Sequence, residues 1–178
     1  PGFHFQFQQK GILMLFKSIE AERDELETAE AADRLGIEAN YLTTELLTHL
    51  EPGICMSVRG AVHYPGDAHI SPHLFMPQMI SFLKQKGVAF LMHHEVTRME
   101  DKGKAGAGVI LKDGKILDAR QVIVATGSWS GSLMKKSGYR LPMQDGKGYS
   151  MTIQHQVVMP TIPSILHEAR VAMTPMGE

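Results

Sequence analysis

The stretch Gln121-Val-Ile-Val-Ala-Thr-Gly-Ser-Trp-Ser130 is the most informative part of the sequence. Its apolar residues Val122–Ala125 predict a buried strand that runs directly into Thr126 and Gly127. Small residues at the carboxyl end of such a strand let a flat ligand approach the backbone. Amide groups in the turn that follows, at residues 127–131, would be free to face a phosphate. The alternative is an ordinary strand-to-helix turn.

Apolar spacing predicts two helices in the first third of the chain. One helix face is indicated by four residues three or four positions apart: Ile12, Leu15, Phe16 and Ile19. This helix is predicted to continue to Arg34, with Gly36 as its C-terminal cap. Thr43 is placed to cap a second, shorter helix, and Pro52-Gly53 would end it.

A third helix has the clearest start signal. Residues 54–70 are predicted to be irregular or extended, with a turn at Pro65-Gly66-Asp67. Ser71-Pro72 then predicts a helix start, because serine caps helices and proline suits their first position. Gly87 is predicted to end this helix. Its buried face is predicted to consist of Phe75, Met79, Phe82 and Leu83.

Strands are predicted in the second half of the chain. Residues 88–92 form a short apolar run, and Asp113-Gly114 is typical of a hairpin turn between residues 109–111 and 115–117. Together with the strand at 122–125, this order of elements predicts an α/β fold with a mixed sheet.

Composition excludes several classes of protein. The 178 residues carry a formal net charge of −1, so no basic surface points to nucleic acid. The longest uninterrupted apolar runs, Ile12–Phe16 and Val88–Met92, are too short to span a bilayer. Cys55 is the only cysteine, which rules out an intramolecular disulfide and favours a reducing compartment.

Three histidines, His63, His69 and His73, lie around the predicted turn near Asp67. His69 and His73 are four residues apart, a spacing that can share a metal on a helix. The predicted helix start at Ser71-Pro72 separates them, however, so they need not lie on one face. No metal site is therefore predicted.

The quoted stretch resembles the second flavin-contacting motif of the amino-acid oxidase superfamily of FAD-dependent oxidoreductases. The matching residues are Ala125, Thr126, Gly127, Trp129 and Ser130. The resemblance covers nearly the whole chain. Four further stretches are similar to the small subunit of D-amino-acid dehydrogenases: Gln8–Leu15, Leu47–Gly53, Gly60–Pro72 and Lys147–Ser150.

The resemblance implies FAD as cofactor and a set of site residues. Val96 falls where the family contacts adenine through backbone groups, although a plain buried strand residue is the alternative. Gly148 and Tyr149 belong to a motif beside the flavin ring. Family members place the loop that corresponds to Tyr64–His73 near the substrate side of the flavin. The substrate candidates are therefore Tyr64, His69 and His73.

The resemblance also implies a partial FAD-binding Rossmann-like domain interleaved with part of a substrate-binding domain. Residues 1–60 are predicted as a helical part of the substrate-binding region, 61–135 as a segment of the FAD-binding domain, and 136–178 as the start of a second substrate-domain segment. The Gly-x-Gly-x-x-Gly turn that opens the family does not occur in these residues; Gly106-Ala107-Gly108 lacks the third glycine. The chain is therefore interpreted as an internal fragment of a longer parent protein, inactive by itself.

An arginine pairs with the substrate carboxylate in glycine-oxidase-like relatives. Met176 occupies the corresponding position here, and Arg170 is the nearest candidate for the role. A solvent-facing arginine is the alternative for Arg170.

The implied activity is oxidative deamination of D-amino acids or related amines by hydride transfer to FAD, with catalytic residues unassigned. Alternatives are an FAD-dependent 2-hydroxy-acid dehydrogenase, a glycine or sarcosine oxidase, or a cofactor-free fragment that acts as a binding module. The implied partners are an amine or amino-acid substrate and an electron acceptor; the acceptor's identity and the oligomeric state stay open. A cytoplasmic location is predicted, with peripheral association of the parent at the inner face of the membrane as an alternative.

Overall fold

The computed structural model describes residues 2–103, 106–153 and 158–176. They form two compact units. The first unit combines the described residues up to Val88 with those from Ile153 onward, and the second runs from Ala89 to Thr152. These boundaries differ from the predicted domain boundaries after residues 60 and 135.

The first unit is built on a five-stranded sheet. Its strands are β1 (Ile12–Phe16), β2 (Asn40–Thr43), β3 (Gly60–Tyr64), β7 (Ser164–Leu166) and β8 (Val171–Met173), in the order β2-β3-β1-β7-β8. The central strand β1 is antiparallel to β3 and parallel to β7. The unit's helices are α1 (Ile19–Arg34), α2 (Thr44–Leu50) and α3 (Pro72–Gln85).

Both faces of β1 are covered. One apolar cluster packs α2 and nearby loop residues against the sheet: Leu13, Leu15, Leu47, Ala61 and Ile162. The other packs α1 against the opposite face: Phe16, Ala21, Ala29 and Val62. Gly60 lies so close to β2 that an added Cβ would meet the Leu42 carbonyl at 2.7 Å, so the sheet requires glycine at this position.

The prediction of a helix from Ile12 was wrong, because residues 12–16 form β1. A central strand buried on both faces is a continuous apolar run, and a run of five residues fits helical and strand periods alike. The helix starts instead at Ile19, where the Ser18 hydroxyl accepts a hydrogen bond from Ala21 N at 3.1 Å.

Other helix signals were confirmed. Helix α1 ends at Arg34, and Gly36 adopts a φ of +79° beyond it. The Thr43 hydroxyl accepts from Leu46 N and caps α2. Pro72 opens α3, but the Ser71 hydroxyl does not cap this helix.

The prediction of a buried face on α3 needs correction. The face that contains Phe75, Met79, Phe82 and Leu83 is only half-buried. Phe75 and Phe82 pack edge-on against Phe3, with ring centroids 6.1 and 5.7 Å apart. Residues 54–70 were predicted to be irregular or extended, and part of this segment forms β3.

The second unit contains a three-stranded antiparallel sheet in the order β4-β5-β6. Its strands are β4 (Val96–Asp101), β5 (Ala107–Leu111) and β6 (Ile116–Ala119), and α4 (Ser130–Lys136) packs on β4. The hairpin prediction was confirmed: Gly114 has a φ of +86°, and its N–H donates to Leu111 O at 3.0 Å. The mixed α/β class was also confirmed.

Two predicted strands are absent from the described residues. Residues 88–92 form no strand, and residues 122–125 form none either. An extended segment counts as a strand only when its backbone bonds to a neighbour, and no described strand pairs with either segment. Ile123 exposes 90% of its surface. Among the described helices, none is long and apolar enough to cross a membrane.

Three carboxylates join the two separate parts of the first unit. Glu51, 1% exposed, accepts four hydrogen bonds: two from Thr161 N at 2.8 and 2.9 Å, one from the Thr161 hydroxyl at 3.0 Å, and one from Ile162 N at 2.6 Å. Buried Glu25 of α1 accepts from His167 Nδ1 at 2.7 Å. This hydrogen bond raises the pKa of His167.

The third carboxylate, that of Glu168, lies at the N-terminus of α1. It accepts from Lys17 N at 2.9 Å, Ser18 N at 2.8 Å and the Ser18 hydroxyl at 2.9 Å. Burial on its own would raise the pKa of Glu168, but the hydrogen bonds from these groups and from its own N–H lower that pKa to about 2.

Replacement of Glu51 by alanine should weaken the packing of residues 160–166 against the rest of the first unit. The change leaves the Thr161 and Ile162 N–H groups without their acceptor, which should lower the local free energy of unfolding by about 2–4 kcal/mol. Hydrogen–deuterium exchange of residues 160–166 in the protein measures this loss. Glu51→Gln keeps one acceptor oxygen, so the exchange rate of these residues should lie between that of wild type and that of Glu51→Ala. Exposed Glu30→Ala is the control, and equal exchange in both alanine variants would contradict the prediction.

Glu168→Gln should show a distinctive dependence on pH. The folded pKa of Glu168 lies below its ordinary value of 4.5, so the carboxylate stabilises the fold above that pH, and the effect is lost as pH falls toward about 2. The difference in melting temperature between wild type and Glu168→Gln should therefore be constant at neutral pH and narrow below about 4.5. Glu20→Gln removes a nearby charge without these hydrogen bonds. A difference that stays constant down to the lowest pH would refute the role of Glu168.

Candidate cofactor and substrate sites

The turn at Thr126–Ser130 has the geometry of a close-approach site. Gly127 adopts a φ of +53°, and a Cβ built on it would meet no atom within 4 Å. Residues 127–129 form a single 3-10 turn that leads into α4. Trp129 N donates to Thr126 O at 3.1 Å, and the hydroxyls of Thr126 and Ser130 lie 2.9 Å apart. The turn is thus fixed by its own hydrogen bonds while the space beside Gly127 stays open.

The other predicted cofactor residues lie in the same unit. Val96 is half-buried at the start of β4 and pairs with Leu111. Trp129 and Tyr149 expose 75% and 90% of their surfaces, and Gly148 is also exposed. Helix α4 is tied to β4 by a hydrogen bond of 2.9 Å from Met99 N to the Ser137 hydroxyl.

These residues fit part of a flavin nucleotide. The open space at Gly127 suits a ligand that approaches the backbone closely, and a side chain there would fill it. The first N–H groups of a helical turn have no partner inside the turn, which leaves those of Gly127 and Ser128 available. Exposed aromatic surfaces at Trp129 and Tyr149 suit a planar ring system.

The substrate candidates lie in the first unit and have different surroundings. Tyr64, at the end of β3, packs against the apolar cluster under α1. Its buried hydroxyl has no hydrogen-bond partner among the described residues, and burial raises the pKa of Tyr64. His73 is exposed on the first turn of α3. Arg170 is exposed as well and adopts a φ of +51°.

His69 is held through its backbone. Its N–H donates to Gln8 O at 2.9 Å and its carbonyl accepts from Gln8 N at 3.0 Å. Its Nδ1 atom is buried and has no hydrogen-bond partner within the described part of the chain. The nearby turn prediction was confirmed by the hydrogen bond of 3.3 Å from Asp67 N to Tyr64 O.

Metal binding finds no support in the described ranges, where no three residues among His, Cys, Asp and Glu are grouped to hold an ion. His63 instead lies 3.2 Å from Lys10 O through Nε2.

Sequence reasoning missed the anchoring carboxylates and the contacts of Gln6. The Gln6 side chain accepts a hydrogen bond of 2.6 Å from the Ser71 hydroxyl. This bond replaces the helix cap that the sequence predicted for Ser71. No local pattern marks a glutamine 65 residues away as the partner of a serine.

Comparison with known proteins gives a consistent result. The family described as FAD dependent oxidoreductase (DAO) matches residues 1–178. D-amino acid dehydrogenase of Helicobacter pylori is 30% identical over 175 residues, which cover 98% of this chain and 41% of that protein. D-amino acid dehydrogenase of Neisseria meningitidis is 28% identical over 158 residues, covering 85% of this chain and 37% of that protein. The chain thus spans about two-fifths of the length of these relatives.

Solved structures share the fold. L-proline dehydrogenase from P. horikoshii superposes with a TM-score of 0.69 at 20% identity, over 97% of this chain and 47% of that chain. Glycine oxidase from Geobacillus kaustophilus superposes with a TM-score of 0.68 at 21% identity, over 77% of this chain and 36% of that chain. The family-wide match agrees with the predicted FAD cofactor. The chain belongs to the DAO family of FAD-dependent oxidoreductases.

Proposed function

We propose that this chain is part of an enzyme that oxidatively deaminates D-amino acids or related amines. The observation that supports the proposal most directly is the alignment with D-amino acid dehydrogenase of Helicobacter pylori over 98% of the chain. The proposed electron acceptor is a molecule other than oxygen, as the dehydrogenase name of that relative suggests.

FAD, when bound, supplies the acceptor for the hydride on the carbon that bears the amine. The residues proposed to hold it are in the second unit: Val96, Ala125, Thr126, Gly127, Trp129, Ser130, Gly148 and Tyr149. Gly127 permits close approach, and the exposed rings of Trp129 and Tyr149 provide apolar surface. The protein's task is to bind, orient and desolvate the reactants, so no side chain has to act as a nucleophile. The substrate loses a hydride and a proton to form an imine, which water converts to a keto acid and ammonia.

A second function, glycine oxidation, has one observation in its favour. Glycine oxidase from Bacillus cereus has 26% sequence identity and a TM-score of 0.63, over 75% of this chain. The two functions differ in both substrate and electron acceptor, so one experiment separates them.

The test is anaerobic flavin reduction in the parent holoprotein, followed by visible absorption. D-amino acids, L-amino acids, glycine, sarcosine and 2-hydroxy acids are compared as reductants, and reoxidation by oxygen is compared with reoxidation by a quinone. Rapid reduction by D-amino acids with slow reoxidation by oxygen is expected. Reduction by glycine and sarcosine with rapid oxygen turnover would favour the second function, and reduction by 2-hydroxy acids alone would reject both.

Gly127→Val in the parent protein should strip the flavin while the fold survives. The added Cβ meets no protein atom within 4 Å, so the main effect expected on the apoprotein is the strain of the positive φ, about 1–2 kcal/mol. Gly138→Val is a matched control, because Gly138 also has a positive φ (+89°) and open space around it. The ratio of flavin to protein absorbance measures occupancy. Equal flavin content in the two variants would remove Gly127 from the cofactor site.

His69→Ala should impair turnover of amine substrates while flavin stays bound. Loss of uniform substrate binding would raise KM at constant kcat, whereas loss of transition-state positioning would lower kcat. Steady-state kinetics with several D-amino acids distinguish these results. His49→Ala, on the exposed surface of α2, is the control. Wild-type values of both constants in His69→Ala would assign the loop a purely structural role.

A further inference from the structure

We propose that Gln6 is a positioning residue for the amine-substrate site and acts through Ser71 on the loop that carries His69. The inference rests on the proposed function, because it assumes that His69 contacts the polar amine and carboxylate groups of the substrate. Gln6 itself would touch neither substrate nor cofactor.

The backbone of Gln6 is strained. Its φ is +54°, in the left-handed region that favours glycine. In the described part of the chain only three residues other than glycine share this property: Gln6, His93 and Arg170. Such conformations persist only where surrounding contacts fix them, and they cluster at functional sites. The strain therefore calls for contacts that hold Gln6 in place.

Those contacts lie on both sides of Gln6 along the chain. On one side, Phe5 O accepts from Ser71 N at 2.9 Å. On the other side, Gln8 and His69 exchange two backbone hydrogen bonds of 3.0 and 2.9 Å. Residues 5–8 are thereby bonded to residues 69–71 at each end, and Gln6 lies between the two attachments.

The side chain of Gln6 adds a third attachment. Its Oε1 accepts from the Ser71 hydroxyl at 2.6 Å, and Ser71 is 2% exposed. Ser71 stands at the N-cap of α3, where a serine hydroxyl ordinarily accepts from an N–H of the first turn. Here it makes no such bond and donates to Gln6 instead. The Ser71 hydroxyl therefore bonds to a residue distant in sequence and does not cap its own helix.

His69 depends on this support. Because its buried Nδ1 has no partner among the described residues, no hydrogen bond at that atom fixes the ring. The orientation of the imidazole follows from packing and from the backbone of residues 69–71. A binding side chain must be held by its supporting contacts to within a fraction of an ångström, so a shift of Ser71 would misplace His69.

The test measures KM and the rate constant of flavin reduction in variants of the parent holoprotein, with flavin content as a check. Gln6→Asn keeps a residue that tolerates positive φ but is one methylene too short to reach Ser71. Gln6→Glu keeps an acceptor oxygen at the same length. Ser71→Ala removes the donor. Gln78→Ala is the matched control, because the Gln78 side chain forms two hydrogen bonds with His4 of the same N-terminal segment, at 2.9 and 2.7 Å, whereas its third bond goes to Leu74 O and not to residues 69–71.

Gln6→Asn and Ser71→Ala should each raise KM about tenfold, the effect of one lost buried hydrogen bond. Gln6→Glu should stay near wild type, and Gln78→Ala should leave KM unchanged. The double variant Gln6→Asn/Ser71→Ala should be no worse than either single variant, because both remove the same interaction.

Two results would overturn the inference: equal changes of KM in Gln6→Asn and Gln78→Ala, or additive effects in the double variant. Failure of the proposed function has a different signature, namely wild-type flavin that D-amino acids do not reduce. If another substrate class reduces it, the same variants are measured with that class. If none does, the proposed function and the inference both fail.

Discussion

The carboxylate of Glu51 is the contact on which the first unit depends most. It lies at the end of α2, yet all four of its hydrogen bonds come from Thr161 and Ile162. Ile162 in turn packs into the apolar cluster of Leu13 and Leu15. A buried carboxylate is stable only when its oxygens are bonded, and here backbone N–H groups provide that compensation. The contact therefore satisfies a buried charge and fixes the entry of the chain into β7.

Glu25 and Glu168 extend the same principle to the turn between β7 and β8. The two contacts, Glu25 with His167 and Glu168 with the N-terminus of α1, respond to pH in opposite directions. The raised pKa of His167 means that its contribution to stability is present at low pH and is lost as pH rises above 6.5 through the folded pKa. The lowered pKa of Glu168 means that its contribution to stability is present above pH 4.5 and is lost as pH falls toward about 2. The docking of this turn is consequently strongest between the two transitions.

Local signals in the sequence predicted local structure well. Four element boundaries were marked by residues that act through their neighbours in sequence: Pro72, Thr43, Gly36 and Asp113-Gly114. The strand at residues 12–16 was misassigned because a short run buried on both faces has no diagnostic period. Residues 122–125 illustrate a different limit, since their apolar character indicates burial whereas strand formation requires a partner backbone. For the candidate sites, the space beside Gly127 is open, and the hydrogen bonds of Gln6 and Glu51 join residues that are distant in sequence.

The parallel pairing of β1 with β7 has a consequence for the order of folding. Lys17 and Glu168 are separated by 151 residues, so a growing chain must expose one edge of β1 until nearly all of this sequence has left the ribosome. Strands β1, β2 and β3 pair locally and form first, whereas the β7 edge closes last. Until then the free edge of Leu13–Leu15 is an apolar strand with unpaired backbone groups, the kind of surface that aggregates or recruits chaperones. Synthesis that stalls before residue 160 would leave the nascent protein in this vulnerable state.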